Sequence, residues 1–440
     1  NGSEKFAIRH RFGFFPSVGG AWILSNEPFY KGGIKRVFPS IKFKASYGLV
    51  GNDEISNPDD RFFYLSNVST NDGGYGHTFG YDFNNTYNGY SVVRYSNEEI
   101  GWEIAEKANF GIEANLLDVF NIQAEYFTEH RTAIYQTRES TPLTRGTTAP
   151  IKGNIGEAKA HGFDASIDAN WSLGSDFWLT GRANFTYSTS EYVDGGDLRY
   201  PEAYRNRPGY SINQQWGYVA ERLFIDKQDI LNSPSQFGLY VSPGNRVSAE
   251  DKIMPGDIKY VDINKDGQID EKDQVAIGFP SVPEIIYGFG ISMGWKFIDF
   301  SFFFQGSARS SFFIDPTSIE PFTSYRNAMT IVADNYWSET NPDPYAFWPR
   351  LSTTQIENNL KTSTWWLRDG SFLRLKQVEL GFSLPRRTLS KLGLTQARIF
   401  FSGNNLFCFS DFDLWDPEMG GYGIGYPIQR VYNVGINVSF

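Results

Sequence analysis

Apolar and polar residues trade places at every step in stretch after stretch of this chain, a spacing that a β-strand turns into two unlike faces. VYNVGINVSF at the C-terminus sets Tyr432, Val434, Ile436, Val438 and Phe440 against Asn433, Gly435, Asn437 and Ser439. IIYGFGISMGW sets Ile285, Tyr287, Phe289, Ile291, Met293 and Trp295 against Gly288, Gly290, Ser292 and Gly294. HGFDASIDANW opposes Phe163, Ala165, Ile167, Ala169 and Trp171 to Asp164, Ser166, Asp168 and Asn170. FWLTGRANFTYS does the same with Phe177, Leu179, Ala183, Phe185 and Tyr187 against Thr180, Arg182, Asn184, Thr186 and Ser188. The pattern predicts eleven strands, near 10–24, 41–50, 104–116, 119–130, 161–171, 177–189, 284–296, 298–306, 372–384, 397–407 and 431–440.

The joints between these strands alternate in length. Short ones fall around 117, 174 and 297, with longer versions at 25–40 and 385–396. Between them lie long connectors at 51–103, 131–160, 190–283, 307–371 and 408–430. Tight turns at one end and long loops at the other are the asymmetry of a bacterial outer-membrane barrel. A soluble sandwich or propeller also has half-buried, alternating strands. Three features favour the membrane: aromatics at strand ends (Trp22, Trp171, Trp178, Trp295, Phe440) that suit interfacial girdles, connectors too long for a compact soluble domain without structure of their own, and a final strand that runs to Phe440. No run approaches the roughly 18–20 apolar residues of a spanning helix, which excludes nothing for a barrel.

Composition removes other classes. Aromatic residues make up 17% of the chain and there are 43 glycines, which suits β-structure with aromatic packing. A net charge of −10 is the wrong sign for nucleic acid. The single Cys408 cannot form an internal disulfide framework, and His10, His77, His130 and His161 sit in no zinc or nucleophile motif. The opening NGSEKFAIRH shows no initiator methionine, apolar segment or cleavage signal, and reads as a fragment or processed chain. Parity agrees. With the long connectors outside the cell, the first and last strands run the same way and the count is odd, whereas single-chain bacterial barrels close with even numbers. An odd set leaves two open edges that hydrocarbon cannot satisfy, so further strands are needed from elsewhere.

Several longer blocks carry a resemblance. RFGFFPSVGGAWILSNEPF (11–29) and IKFKASYGLVGN (41–52) look like a mid-barrel hairpin, and the segment 256–307, GDIKYVDINKDGQIDEKDQVAIGFPSVPEIIYGFGISMGWKFIDFSFFFQGS, is the most specific. WLRDGSFLRLKQVELGFSLP (366–385), SGNNLF (402–407) and YNVGINVSF (432–440) match closing strands. In these the chain resembles the SusC/RagA-like TonB-dependent outer-membrane transporters of Bacteroidota. The resemblance implies an all-β, transmembrane antiparallel barrel of about 22 strands, of which residues 1–440 are the C-terminal half. The plug, the TonB-contact segment and the first barrel half would lie outside these residues. It also implies a SusD-like surface lipoprotein as a lid, TonB as the energy source, and import of oligosaccharides or peptides too large for porins. A scaffold role in a larger surface complex, without transport, and a loop-borne hydrolase are the alternatives.

The long connector 190–283 holds DINKDGQIDEKD at 262–273. Oxygen donors fall at Asp262, Asn264, Asp266, Asp270 and Asp273, with Gly267 where a calcium loop turns and Gln268 where it offers a carbonyl. No helix pair is foreseen around it, since MPGDIKYV precedes and QVAIGFP follows, so a sensor hand is excluded. A structural Ca2+ clip in an external loop is the favoured reading, and a metal-free Asx-rich turn is the alternative. The aspartate at the twelfth position is shorter than the usual glutamate. Lys107, Glu113, Asp164, Asp168 and Arg182 are expected to face the barrel interior, where they hydrate it, contact a plug or line a path. Trp365 and Trp366, in or beside an external loop, could stack on sugar rings, mark the membrane interface or bury against the lid. YGLVGN lacks the spacing of a nucleotide loop, and no pair of loop carboxylates is singled out as a glycosidase pair.

Overall fold

Alternation at this density leaves the backbone one economical solution, an extended ladder in which every second side chain shares a face. In the computed structural model, which describes residues 1–55, 61–174, 176–236, 253–323 and 325–440, the strands form one antiparallel sheet. They are β1 (Ser17–Ile23), β2 (Ser40–Asn52), β3 (Glu103–Leu116), β4 (Phe120–Thr137), β5 (Lys152–Leu173), β6 (Phe177–Asp194), β7 (Ile285–Trp295), β8 (Ile298–Ala308), β9 (Phe372–Ser383), β10 (Gln396–Phe409) and β11 (Val431–Ser439). Each pairs with its neighbours in chain order, and among the described residues β1 and β11 keep one free edge each. All eleven expected strands are present. The first begins at Ser17, because Ile8–His10 is a single 3-10 turn. β4, β5 and β6 run well past their expected ends, to Thr137, from Lys152 and to Asp194.

Register fixes the faces. Trp22 lies opposite Phe43, Phe43 opposite Ile112, and Ile112 opposite Ala124, one apolar row across four strands. On the other side Lys42 opposes Glu113 and Glu113 opposes Gln123. The apolar face is exposed to its surroundings: Trp22, Phe43, Phe110, Phe163, Phe289 and Phe401 each keep 40% or more of their surface. A large apolar side chain gains about 1.5–3 kcal/mol on leaving water, so this face belongs in hydrocarbon. Among the described residues no helix is long and apolar enough to cross a membrane; the strands do so. Trp22, Trp171, Trp295 and Phe440 sit on the apolar face near the short turns. Trp178 does not. It opposes Ser172 and Gly294, on the polar side with Arg182, because its neighbours Phe177 and Leu179 already occupy the outward positions.

Tight turns depend on left-handed residues. Leu117 and Asp118 both have φ 57, and Lys296 closes a two-residue turn with φ 54. Near the other end, Lys376 is an unpaired extra residue in β9 and Asn405 (φ 55) marks the matching irregularity in β10, which bends and twists the sheet there.

The long connectors are not structureless, contrary to the sequence expectation. Those after β6, β8 and β10 fold together around a shared core that includes Leu223, Ile258, Tyr260, Ile314, Trp348 and Trp366. Short strand pairs knit it, Ala220–Leu223 with Ile258–Tyr260, Trp216–Gly217 with Val275–Ala276, and Ser311–Phe313 with Leu367–Asp369. The last connector is drawn in where the Asp315 amide donates to the Gly421 carbonyl at 2.9 Å. A Cβ at Gly421 would stand 1.7 Å from the Phe313 carbonyl oxygen, so only glycine lets the two backbones meet. A smaller cluster, Phe6, Phe63 and Ile100 against Trp102 and Tyr135, ties the N-terminal residues to the connector after β2. That connector also carries an exposed hairpin, Asn67–Phe79 with Asn85–Arg94.

Candidate functional site

Two places combine chemistry with position: the polar face of the sheet and the cap formed by its long connectors. On the polar face, cross-strand register brings opposite charges within reach. Lys42 pairs with Glu113 at 3.1 Å, and Lys44 with Glu113 at 3.0 Å and with Glu125. Lys107 reaches Glu129 at 3.2 Å, and Arg182 reaches Asp168 at 2.7 Å. Near the short turns of the last strands, the Arg398 Nε donates to Asp299 at 3.1 Å, and its guanidinium also pairs with Glu379 at 2.6 Å. A cavity of about 760 Å³ lies over this face, lined by Asn121, Asp168, Arg182, Ser292 and Gln377 among others. All five interior candidates from the sequence thus lie where expected, with Asp164 in register between Glu125 and Thr186. Sequence reading missed Lys42, Lys44, Glu125, Glu129, Asp299, Glu379 and Arg398. The same parity rule would have found most of them. Mixed charges, amides and hydroxyls suit contact with a hydrated solute or a polypeptide surface.

The cap is held from within by a buried polar knot. The Gln236 side-chain amide donates to the Ile258 carbonyl and to Asn358 Oδ1, both at 2.9 Å, and accepts from the Tyr260 amide at 2.7 Å. Asn359 accepts from the Ile258 amide at 2.9 Å and donates to Asp257 at 2.8 Å. Arg350 completes it with a 2.7 Å bond to Asp257. Burial pushes the Asp257 carboxyl up, while Arg350 and its amide donors pull it the other way. Trp366 belongs to this core. It is 1% exposed and its indole donates to the Asn359 carbonyl at 2.8 Å. Trp365 donates to the Phe347 carbonyl at 3.2 Å and is partly buried. Burial takes Trp366 out of reach of a sugar ring, while the Trp365 indole N–H serves the packing of the cap.

The acidic loop lies in the cap, and its side chains chiefly serve its own backbone. Asp262 accepts from the amides of Lys265 (2.7 Å) and Gly267 (2.9 Å). Asn264 accepts from Asp266 (3.0 Å), and Asp266 from Gln268 (2.9 Å), whose amide holds the Asp266 carboxyl below its usual range. Asp270 accepts from Lys272 at 2.8 Å. Asp273, fully buried, takes amides from Ile263 (2.9 Å), Asn264 (3.4 Å) and Asp270 (2.9 Å); burial raises its carboxyl against those donors. The Lys272 ammonium stands between Asp270 (3.4 Å) and Asp266 (3.7 Å). Among the described residues, no group of three or more His, Cys, Asp or Glu side chains converges as a metal centre.

The whole chain is 27% identical to TonB-dependent receptor P3 of Formosa agariphila, spanning 43% of that protein. It is likewise 24% identical to TonB-dependent receptor SusC of Bacteroides thetaiotaomicron, spanning 41% of it. The solved RagAB peptide transporter aligns with all of this chain and 45% of its own, with a TM-score of 0.70 at 21% identity. Along its whole length the chain is similar to SusC/RagA-like TonB-dependent receptors. No protein-family model matches the chain.

This SusC/RagA-like chain spans less than half the length of the relatives it matches. It is an outer-membrane β-barrel chain, and its two faces acquire their solvents accordingly: Trp22, Phe43 and their row face lipid, while the Lys42 and Arg182 rows face inward. The cap follows the strand ends opposite the short turns, the external side of a SusC/RagA-like barrel by the loop asymmetry.

Proposed function

We propose that the chain is the C-terminal barrel part of a TonB-driven importer of oligosaccharides or peptides, working with a SusD-like surface lipoprotein that closes over the cap. One observation carries this reading: a sheet with a lipid face and a charged inner face is topped, at one end only, by connectors that fold into a cohesive cap. Such a cap offers a firm seat to a lid and to cargo, which tight turns would not. The proposal is tested in the native bacterium by deleting the full-length gene and comparing growth on polymeric and monomeric nutrients. Loss of growth on one oligosaccharide or peptide source, with monomer use intact and a lipoprotein copurifying with the tagged barrel, is the expected result. Unchanged growth on every polymer, with the barrel copurifying in a larger assembly, would replace import with a scaffold role.

We also propose that calcium, near millimolar outside cells, occupies the acidic loop through Asp262, Asn264, Asp266, the Gln268 carbonyl, Asp270 and Asp273. What supports it is the filling of every ligand position of the motif around Gly267. Binding requires Lys272 to swing away from Asp266 and Asp270. Calorimetric titration of chelator-treated protein decides it: a Kd of about 0.1–1 mM is expected for an extracellular site, and no heat up to 10-fold higher calcium leaves Lys272 as the loop's own counter-ion.

A further inference from the structure

The lipid face is not uniformly filled. Across β7 and β8 it is paved with rings: Phe289 stacks on Phe304 with centroids 5.2 Å apart, and Phe302 meets Phe304 at 5.8 Å and Phe300 at 6.0 Å. Across β1 to β5 the same face contains a groove of about 740 Å³. Small residues make its floor: Gly20 opposes Ala45, and Ala124 follows in the next row opposite Ile112. Its walls are aromatic, with Trp22 and Phe43 stacked at 6.1 Å below and Phe110, Tyr126 and Phe163 in register above. These five keep 40–57% of their surface exposed.

Dimensions and place say what fits. From β1 to β5 there are four inter-strand steps of about 4.8 Å, or ~19 Å. With strands inclined at roughly 45° to the membrane normal, a furrow crossing them rises about 13 Å, and the two-residue step from the Trp22 row to the Phe163 row adds about 5 Å, together somewhat more than half of a hydrocarbon core of about 30 Å. Its lower end is at Trp22, one residue from the short connector after β1. Its upper end is at Phe163, ten residues above the last residue of β5, Leu173. The furrow therefore starts in the leaflet nearer the short turns, climbs obliquely to about the middle of the membrane, and is continuous with the surface that already faces lipid.

We propose that this groove is a site for one phospholipid acyl chain, lodged between the two aromatic walls and retained when the loosely held lipid of the β7–β8 face exchanges. The acyl chain fills space that the small floor residues would otherwise leave thinly packed, and dispersion attraction weakens steeply across even a narrow gap.

The test uses the full-length barrel, purified in mild detergent, stripped and re-exposed to phosphatidylethanolamine, with bound lipid counted by native mass spectrometry. Wild type is expected to keep one phospholipid through gentle activation. Ala45→Trp and Ala124→Trp, which fill the floor from the lipid side, are expected to lose it. Ala183→Trp, on the same face but opposite Phe289 and Ile167, keeps it. Heat-modifiable gel migration confirms that each variant is folded, and quenching of tryptophan fluorescence by a brominated acyl chain gives a second reading on wild type alone. Equal lipid counts in wild type and both floor variants would overturn the site, as would a wild type that keeps detergent or nothing.

Discussion

Ile167 and Trp366 are both large apolar residues in a chain full of them, and they do opposite work. Ile167 is 42% exposed on β5, satisfied only because its solvent is hydrocarbon, whereas Trp366 is 1% exposed in a core that the cap builds for itself. The sheet organises its apolar atoms by parity and hands them to the membrane. The cap gathers them without period and shields them from water by packing. One chain thus uses two strategies for the same hydrophobic effect, and they fail in different ways.

The largest expected effect lies in the cap. Trp366→Ala removes a buried indole and its bond to Asn359, and should cost the cap about 3–5 kcal/mol while the strands stay folded. Limited proteolysis in detergent would show cleavage within 195–284 or 310–371, with heat-modifiable migration of the barrel retained. Simultaneous loss of both would mean that the cap and sheet are one cooperative unit. Next come adjacent residues on β5. Ile167→Arg should destabilise insertion into vesicles by about 2–4 kcal/mol, the midplane value for the lipid face, whereas Ser166→Arg, between Gln123 and Asn184 on the inner face, should change it by less than about 1 kcal/mol. Equal penalties would undo the assignment of faces.

A smaller effect should track pH. Asp229 is held down to about 2, first by the Arg222 guanidinium, which it meets at 2.5 and 2.9 Å. Its folded value lies below the unfolded value of about 3.9, so its contribution to the cap, about 2 kcal/mol by linkage, is present above pH 4 and fades as pH falls towards 2. Asp229→Asn should therefore weaken protease resistance at pH 7 and make a progressively smaller difference as pH is lowered to about 2 and below. The smallest change expected is Arg182→Ala on the inner face, where a pair whose arginine is 75% exposed should be worth no more than about 1 kcal/mol in vesicle unfolding.

What could be read from the residues follows the same divide. Strands between two solvents must alternate, so all eleven were visible, and Lys107, Glu113, Asp164, Asp168 and Arg182 fell on the inner face by parity. The girdle reading of Trp178 failed because a strand-end aromatic was assigned by type and not by its place between Phe177 and Leu179. The cap was illegible for a different reason. Leu223, Ile258, Trp348 and Trp366 come from connectors far apart in sequence and share no period, so nothing local marks them as neighbours. The hairpin 67–94 was missed because NDGGYG interrupts alternation and its pairing slips three times. The acidic loop lies between these cases. Its spacing was plain, but the same spacing serves backbone amides as well as a cation, as Asp273 with three donors illustrates.

The close approach of Gly421 to the Phe313 carbonyl has an evolutionary corollary. Loops vary more among relatives than the elements they join, yet here three of them interlock at contacts, Gly421 against Phe313 and Gly217 against Thr362, that leave no room for an added methyl group. Change in one must be matched in the others, so novelty at this surface should arrive by exchange of the trio as a cassette, leaving the membrane-embedded strands beneath free to drift at their own pace.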